Sequence, residues 1–350
     1  MTGPRTMIAA VAAGLLLAWP NVAAAPRATW TFQVSGVSAS LRGVSAVNDR
    51  VIWVSGSNNT ILRTTNGGEL WTRLPPPSPD QLDFRDVDAV SASTAYVLSI
   101  GNGQLSRIFK TTDSGQTWAQ QFTNGDPKAF FDAMAFWDAN RGIAVSDSVD
   151  GRFYFLMTTN GGKSWAYIPV DRLPRALEGE GFFAASGSNV TVRGDRIWIG
   201  TGATNRARVL RSIDRGLSWD VADTPIAAGV SSGIYSIAFR DDLHGVIVGG
   251  DYSKEREAVD NIAITSDGGA TWTLVKKRGL SGFRSVVKHV PGTEKSWIAV
   301  GPAGSDISED DGLTWTPLEG PGFHTFSFAP GRKLGWGAGA RGGIGKLDLR

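Results

Sequence analysis

Short apolar runs separated by polar turns recur along the chain, and their length and content of Val, Ile, Phe and Trp predict strands. One set reads Val51-Ile52-Trp53-Val54, Ala95-Tyr96-Val97-Leu98, Gly142-Ile143-Ala144-Val145, Ile197-Trp198-Ile199, Gly245-Val246-Ile247-Val248 and Trp297-Ile298-Ala299-Val300. Leu334-Gly335-Trp336 supplies its last member. A second set precedes these: Leu41-Arg42-Gly43-Val44, Phe84-Arg85-Asp86-Val87, Phe131-Asp132-Ala133-Met134, Ile234-Tyr235-Ser236-Ile237, Phe283-Arg284-Ser285-Val286 and Phe323-His324-Thr325-Phe326. Its fourth member, around Phe183-Ala184-Ala185, aligns ambiguously.

Downstream of these runs a polar box, [S/T]-x-[D/N]-x-G-x-x-W, occurs six times. Its acid or amide and its tryptophan are Asn66 and Trp71, Asp113 and Trp118, Asn160 and Trp165, Asp214 and Trp219, Asp267 and Trp272, and Asp310 and Trp315. Successive tryptophans lie 47, 47, 54, 53 and 43 residues apart, the length of a four-stranded propeller blade. The Asp or Asn is suited to accept backbone N–H groups of its own turn, and the glycine to a positive φ. The tryptophan is expected to open the next strand, bury its ring and donate its indole N–H to a carbonyl. A Ser or Thr precedes it in five copies; the first has Leu70.

The box is missing from the last blade, but Ala28-Thr29-Trp30-Thr31-Phe32-Gln33 reads like Ala270-Thr271-Trp272-Thr273-Leu274-Val275. The start of the chain is therefore expected to complete the blade begun by residues 323 to 349, leaving no open sheet edge at the seam. The fold expected is all-β: one seven-bladed β-propeller of four-stranded blades over residues 25–350. The 350 residues contain no Cys, so no disulfide supports the ring. Residues 1–24 have the form of a secretory signal peptide: Arg5, an apolar run from Met7 to Ala18, then small residues for cleavage after Ala24. Export to the periplasm or beyond is the expected localisation. Lys+Arg 35 against Asp+Glu 33 gives +2, which provides no field for nucleic acid or anionic lipid.

The box is similar to the Asp-box, or BNR, repeat of sialidases, other glycosidases and non-enzymatic propellers. Thr65-Asn66-Gly67-Gly68 to Trp71, preceded by Trp53-Val54-Ser55-Gly56 and Ile61-Leu62-Arg63-Thr64, resembles the photosystem II stability/assembly factor family, whose relatives also occur in bacteria without photosystems. That resemblance implies a non-enzymatic, assembly-factor-like propeller, with WD40/YVTN-like blades, that binds an exported or membrane protein. The alternative is a carbohydrate-active propeller, sialidase-like, another glycoside hydrolase, or glycan-binding.

One position of the innermost strand reads Arg42, Arg85, Asp132, Tyr235, Arg284 and His324 across six blades and is expected to ring the channel mouth. Three arginines at one radius suit bidentate capture of a carboxylate; alternatively, Asp132 and Asp86 neutralise two of them. Phe131 and Tyr235 are candidate aromatic anchors. Asp147, Asp150 and Arg152, in a connection of the third blade, are further candidates for ligand or partner binding. No catalytic residue, metal or cofactor is assigned. A Ca²⁺ loop at Asp147 and Asp150 lacks the spacing of an EF-hand. Glycoside hydrolysis needs a carboxyl pair about 5–10 Å apart, drawn from Asp132, Asp147, Asp150, Glu180 and Asp251. Gly337 to Gly342 fits G-x-G-x-x-G and Gly229 to Gly233 fits G-x-S-x-G, but neither has the helix that such sites require. Three histidines from separate blades do not form a zinc pattern. A monomer is expected.

Overall fold

The computed structural model of the chain describes Gly3 and residues 28 to 349, so the expected export segment lies outside the described residues. Seven four-stranded antiparallel sheets are present, each with its strands in chain order from the axis outward except at the seam. Blade 1 comprises Leu41–Ala46, Ile52–Gly56, Thr60–Thr64 and Thr72–Arg73. The first strands of the other blades are Asp83–Ala89, Phe131–Phe136, Val190–Arg193, Ser232–Phe239, Val286–His289 and Thr325–Phe328. Each first strand touches those of the neighbouring blades, and blade 7 touches blade 1, which closes the ring around a central channel.

The first and second strands are apolar along most of their length because packing between blades covers both faces. Val51, Trp53, Ile61 and Leu74 of blade 1 pack on Phe84, Val97 and Phe109 of blade 2, and the same alternation continues around the molecule. A fully buried side chain of this size contributes about 1.5–3 kcal/mol. Polar locks join the inner strands: Ser45 Oγ accepts from the Ala89 N–H at 3.0 Å, Ser236 Oγ from Val287 at 2.9 Å, and Ser327 Oγ from Ala46 at 3.2 Å. Between blades 2 and 3 carboxylates take this role, Asp86 accepting from the Met134 N–H at 2.8 Å and Asp88 from Phe136 at 2.9 Å.

Ala28–Gln33 pairs along its whole length with Ile344–Leu349, as the sequence led us to expect. Its Trp30 ring lies 4.8 Å from that of Phe323. Gln33 also crosses to the first box, donating to Gly67 O at 2.9 Å and accepting the Trp71 indole N–H at 3.2 Å. The seam is thus stitched on both sides.

The fourth blade departs from the expectation. Its inner strand is Val190–Arg193, and Phe183-Ala184-Ala185 belongs to an irregular strap, residues 182–189, that crosses the channel. Ala184 O accepts from Arg85 of blade 2 at 3.1 Å, and Ser186 Oγ donates to Ser285 O of blade 6 at 2.8 Å. Ser186 O also accepts from Thr325 of blade 7 at 3.4 Å, while Ser188 Oγ donates to Ser236 of blade 5 at 2.8 Å. At Gly187 (φ +70°) a Cβ would stand 2.2 Å from Asp86 Oδ1, so the crossing requires glycine there. The strap divides the channel into a mouth of about 480 Å³ and an inner chamber of about 240 Å³ that holds Asp86, Asp88 and Lys288.

Candidate functional site

The mouth lies where the first strands begin. In four blades the pairing register slips by one residue at that point, between Leu41 and Gly43, Phe84 and Asp86, Phe131 and Ala133, and Ile234 and Ser236. The extra residues are Arg42, Arg85, Asp132 and Tyr235, so this column consists of β-bulges. A bulge turns a side chain away from the pleat, here into the cavity. His324, just ahead of the strand of blade 7, joins them in the lining.

Arg284 does not. It is 1% exposed, and its guanidinium bonds Asp306 Oδ2 at 2.6–2.7 Å, Phe283 O at 2.8 Å and Ser281 Oγ at 2.5 Å. It is a buried pair that ties the entry of blade 6 to its third strand, not part of a carboxylate-binding surface. The other two arginines differ from each other. Arg85 pairs with Asp83 at 2.9 Å and holds the strap; Arg42 touches Ser40 Oγ at 3.2 Å and forms no ion pair among the described residues. Neither is neutralised by Asp132 or Asp86. Burial, then the neighbouring Arg85 charge, pulls Arg42 down to about 10, which leaves it cationic at neutral pH. Burial and these two cations push His324 down to about 4, so it is neutral there.

Asp132 and Asp147 meet side chain to side chain in the wall of blade 3. Burial and the Asp147 charge raise Asp132 well above the usual carboxyl range, and burial raises Asp147 to about 6. Asp147 accepts the Phe182 N–H at 2.6 Å; a Cβ on Gly181 would stand 2.3 Å from its Oδ1. Two carboxyls in mutual contact cannot flank a glycosidic bond. Glu180 is no candidate for that role either, because Arg208 grips it in a buried ion pair that also takes Thr201.

Asp150 and Arg152 are not brought to the mouth. Strands Gly142–Val149 and Arg152–Thr158 run into a tight hairpin rather than a long connection, with Asp150 (φ +51°) and Gly151 (φ +74°) at its tip. Asp150 pairs with Lys128 at 3.0 Å in solvent, and Arg152 lines a separate depression with Leu173 and Arg175. Phe131 is fully buried and no rim anchor. The aromatic shelf of the mouth is built instead from Phe183 stacked on Tyr235 (4.0 Å, 7°), with Tyr252 and Phe283 edge-on. Tyr252 is 53% exposed, and Val230 and Val259 are exposed in the same blade. Burial raises the Tyr235 phenol, whose O–H donates to Ser231 O at 3.0 Å. Glu255 completes the charged rim. The strap escaped sequence reasoning; the 54-residue interval before Trp219 was the available signal.

The boxes occupy the other end of the blades, each bonding the turn between the first two strands, as Gly67 N does with Arg50 O at 2.9 Å. In each copy the first hydroxyl accepts from the fifth residue and donates to the Asp or Asn, which accepts from the seventh: Thr111, Gly115, Asp113 and Thr117 at 2.8–2.9 Å. Trp219 and Trp315 donate to carbonyls as expected; Trp118, Trp165 and Trp272 have no acceptor among the described residues. No group of three or more His, Cys, Asp or Glu able to hold a metal occurs among the described residues.

No protein-family profile and no curated protein matches the chain. Solved structures do match its fold. One described as YCF48 bound to D1 peptide superposes with a TM-score of 0.65 at 17% identity, over 92% of this chain and 97% of its own. YCF48 from Cyanidioschyzon merolae gives 0.62 at 18% identity, covering 91% of this chain and 98% of its own. The WD40 repeats of RRP9 give 0.62 at 13% identity, covering 92% and 97%. Likeness across such different propellers establishes the architecture, and the site must be argued from its own chemistry.

Proposed function

We propose that this chain is an exported, non-enzymatic propeller that holds a protein partner at the channel mouth, in the manner of an assembly or stability factor. The observation that carries the reading is the Arg42 guanidinium, without an ion pair among the described residues, in the same 480 Å³ cavity as the aromatic shelf. A planar cation and stacked rings lining one cavity suit a carboxylate-bearing segment, with Tyr252 as an exposed anchor. The peptide named with a solved propeller of this fold, YCF48 bound to D1 peptide, supports a peptide as occupant. Export rests on the form of residues 1–24 and implies an exported or membrane protein as partner. The single domain over 25–350 and the monomeric state belong to the same reading.

Capture from detergent-solubilised envelope extract tests it. Wild-type bait should recover a specific exported or membrane protein that an Arg42→Glu/Arg85→Glu variant of unchanged melting temperature fails to recover. The same proteins on both baits would remove the arginine side of the mouth from the reading.

A further inference from the structure

The mouth has a second pole. Asp132 is 1% exposed, lines the cavity, and its Oδ2 has no hydrogen-bond partner among the described residues. Its neighbour Asp147 receives one peptide N–H, from Phe182. Among the described residues no cation pairs with either acid: Arg85 is taken by Asp83, Arg284 by Asp306 and Lys128 by Asp150. A buried carboxyl pair with an open acceptor is costly unless something satisfies it. Locking explains Asp147 in part, through Phe182, but not Asp132, since the lock between blades 2 and 3 is made by Asp86 and Asp88. Phe130, Phe182 and Phe183 face the same cavity, an aromatic setting that favours a cation.

We propose that Asp132 and Asp147 form a cation subsite that takes an ammonium or guanidinium group of the bound segment, across the mouth from the carboxylate held at Arg42. The inference rests on the mouth being the binding surface, and it makes the recognised segment dipolar, with an acidic and a basic group within one cavity's span. At low pH burial favours the neutral acids, which carry no charge to meet a ligand cation. As the pair ionises it releases its proton to solvent, and the carboxylate then faces one cation or forks onto one guanidinium.

A pH signature follows. The other ionisable groups facing this space are Arg42, Arg85, Asp83, Glu255, Tyr235, Tyr252 and His324. His324 is already neutral above about pH 4, and Arg42 stays charged. Burial raises Asp147 to about 6, so the pair gains negative charge between pH 5 and pH 8. Cation binding should therefore strengthen about tenfold from pH 5 to pH 8, while anion binding stays flat.

Two small probes separate the poles: benzamidinium chloride for the acid pair and sodium benzoate for the arginines, each titrated calorimetrically into the purified protein at both pH values. Benzamidinium should bind at pH 8, weaken about tenfold at pH 5, and lose that dependence in Asp132→Asn and Asp147→Asn. Benzoate should be unaffected by these variants and lost in Arg42→Gln. Should either acid variant fail to fold, the pH dependence of benzamidinium on the wild type decides alone. Benzamidinium that does not bind, or binds equally at both pH values, overturns the cation subsite. If benzoate still binds in that case, the mouth reading survives; if neither probe binds, both fall.

Discussion

At the scale of single residues, the box shows why its spelling is so constrained. Where Asp occupies the third position, the seventh-position hydroxyl donates to its second oxygen, as Thr117 does to Asp113 at 2.6 Å and Thr314 to Asp310 at 2.6 Å. In the third copy the Asn160 amide donates to Ser164 Oγ at 2.8 Å. The first copy has Leu70, 67% exposed, and Asn66 lacks this bond. Leu70→Thr should therefore stabilise the protein by about 0.5–1 kcal/mol, read as a higher urea midpoint with an unchanged slope. Arg284→Glu should do the reverse, losing about 3–5 kcal/mol, because it places a second carboxylate against buried Asp306. The box was legible because its bonds lie within one turn. The fate of Arg284 was not, since its partner Asp306 sits 22 residues away on another strand.

Among elements, the closing strand was readable from its likeness to an outer strand, while the strap was not. Val190–Arg193 carries no aromatic start comparable to Phe84 or Phe131, and residues 182–189 bond to four other blades through serines and peptide groups that sequence pattern does not reveal. The register slips that aim Arg42, Arg85, Asp132 and Tyr235 are equally invisible as bulges, although the column they form could be aligned. Removal of residues 28–33 should expose Ile344–Leu349 as an open edge and strip Gln33 from Trp71. Expected outcomes are a broadened, earlier thermal transition and concentration-dependent oligomers in size-exclusion chromatography.

For the molecule as a whole, two groups of acids set opposing dependences on pH. Hydrogen bonds hold Asp113 at about 2; similar bonds outweigh burial to hold Asp267 at about 2, so the stabilisation from these boxes is present above about pH 4 and lost as pH falls toward 2. Burial raises Asp86 to about 7 and Asp88 to about 6, above the ~3.9 of an unfolded aspartate. Between about pH 4 and 7 the folded chain thus holds protons that the unfolded chain has released, and stability falls as pH rises through that window. Burial lowers Lys288, a shift that the neighbouring Asp86 and Asp88 charges oppose. The melting temperature should peak near pH 5. Asp86→Asn, which keeps an acceptor for Met134, should raise it at pH 8 by about 1–3 °C and change it little at pH 5.

The most direct test of the mouth as the working surface is site-specific photocrosslinking in the source cell. A benzophenone amino acid would be placed at Tyr252 on the mouth rim, and separately at Leu217 and Leu313, which are exposed on the box face. A discrete adduct with an exported or membrane protein from position 252 alone, abolished by Arg42→Glu, is the predicted result. Adducts from positions 217 or 313, with none from 252, would place the partner on the opposite face and contradict it.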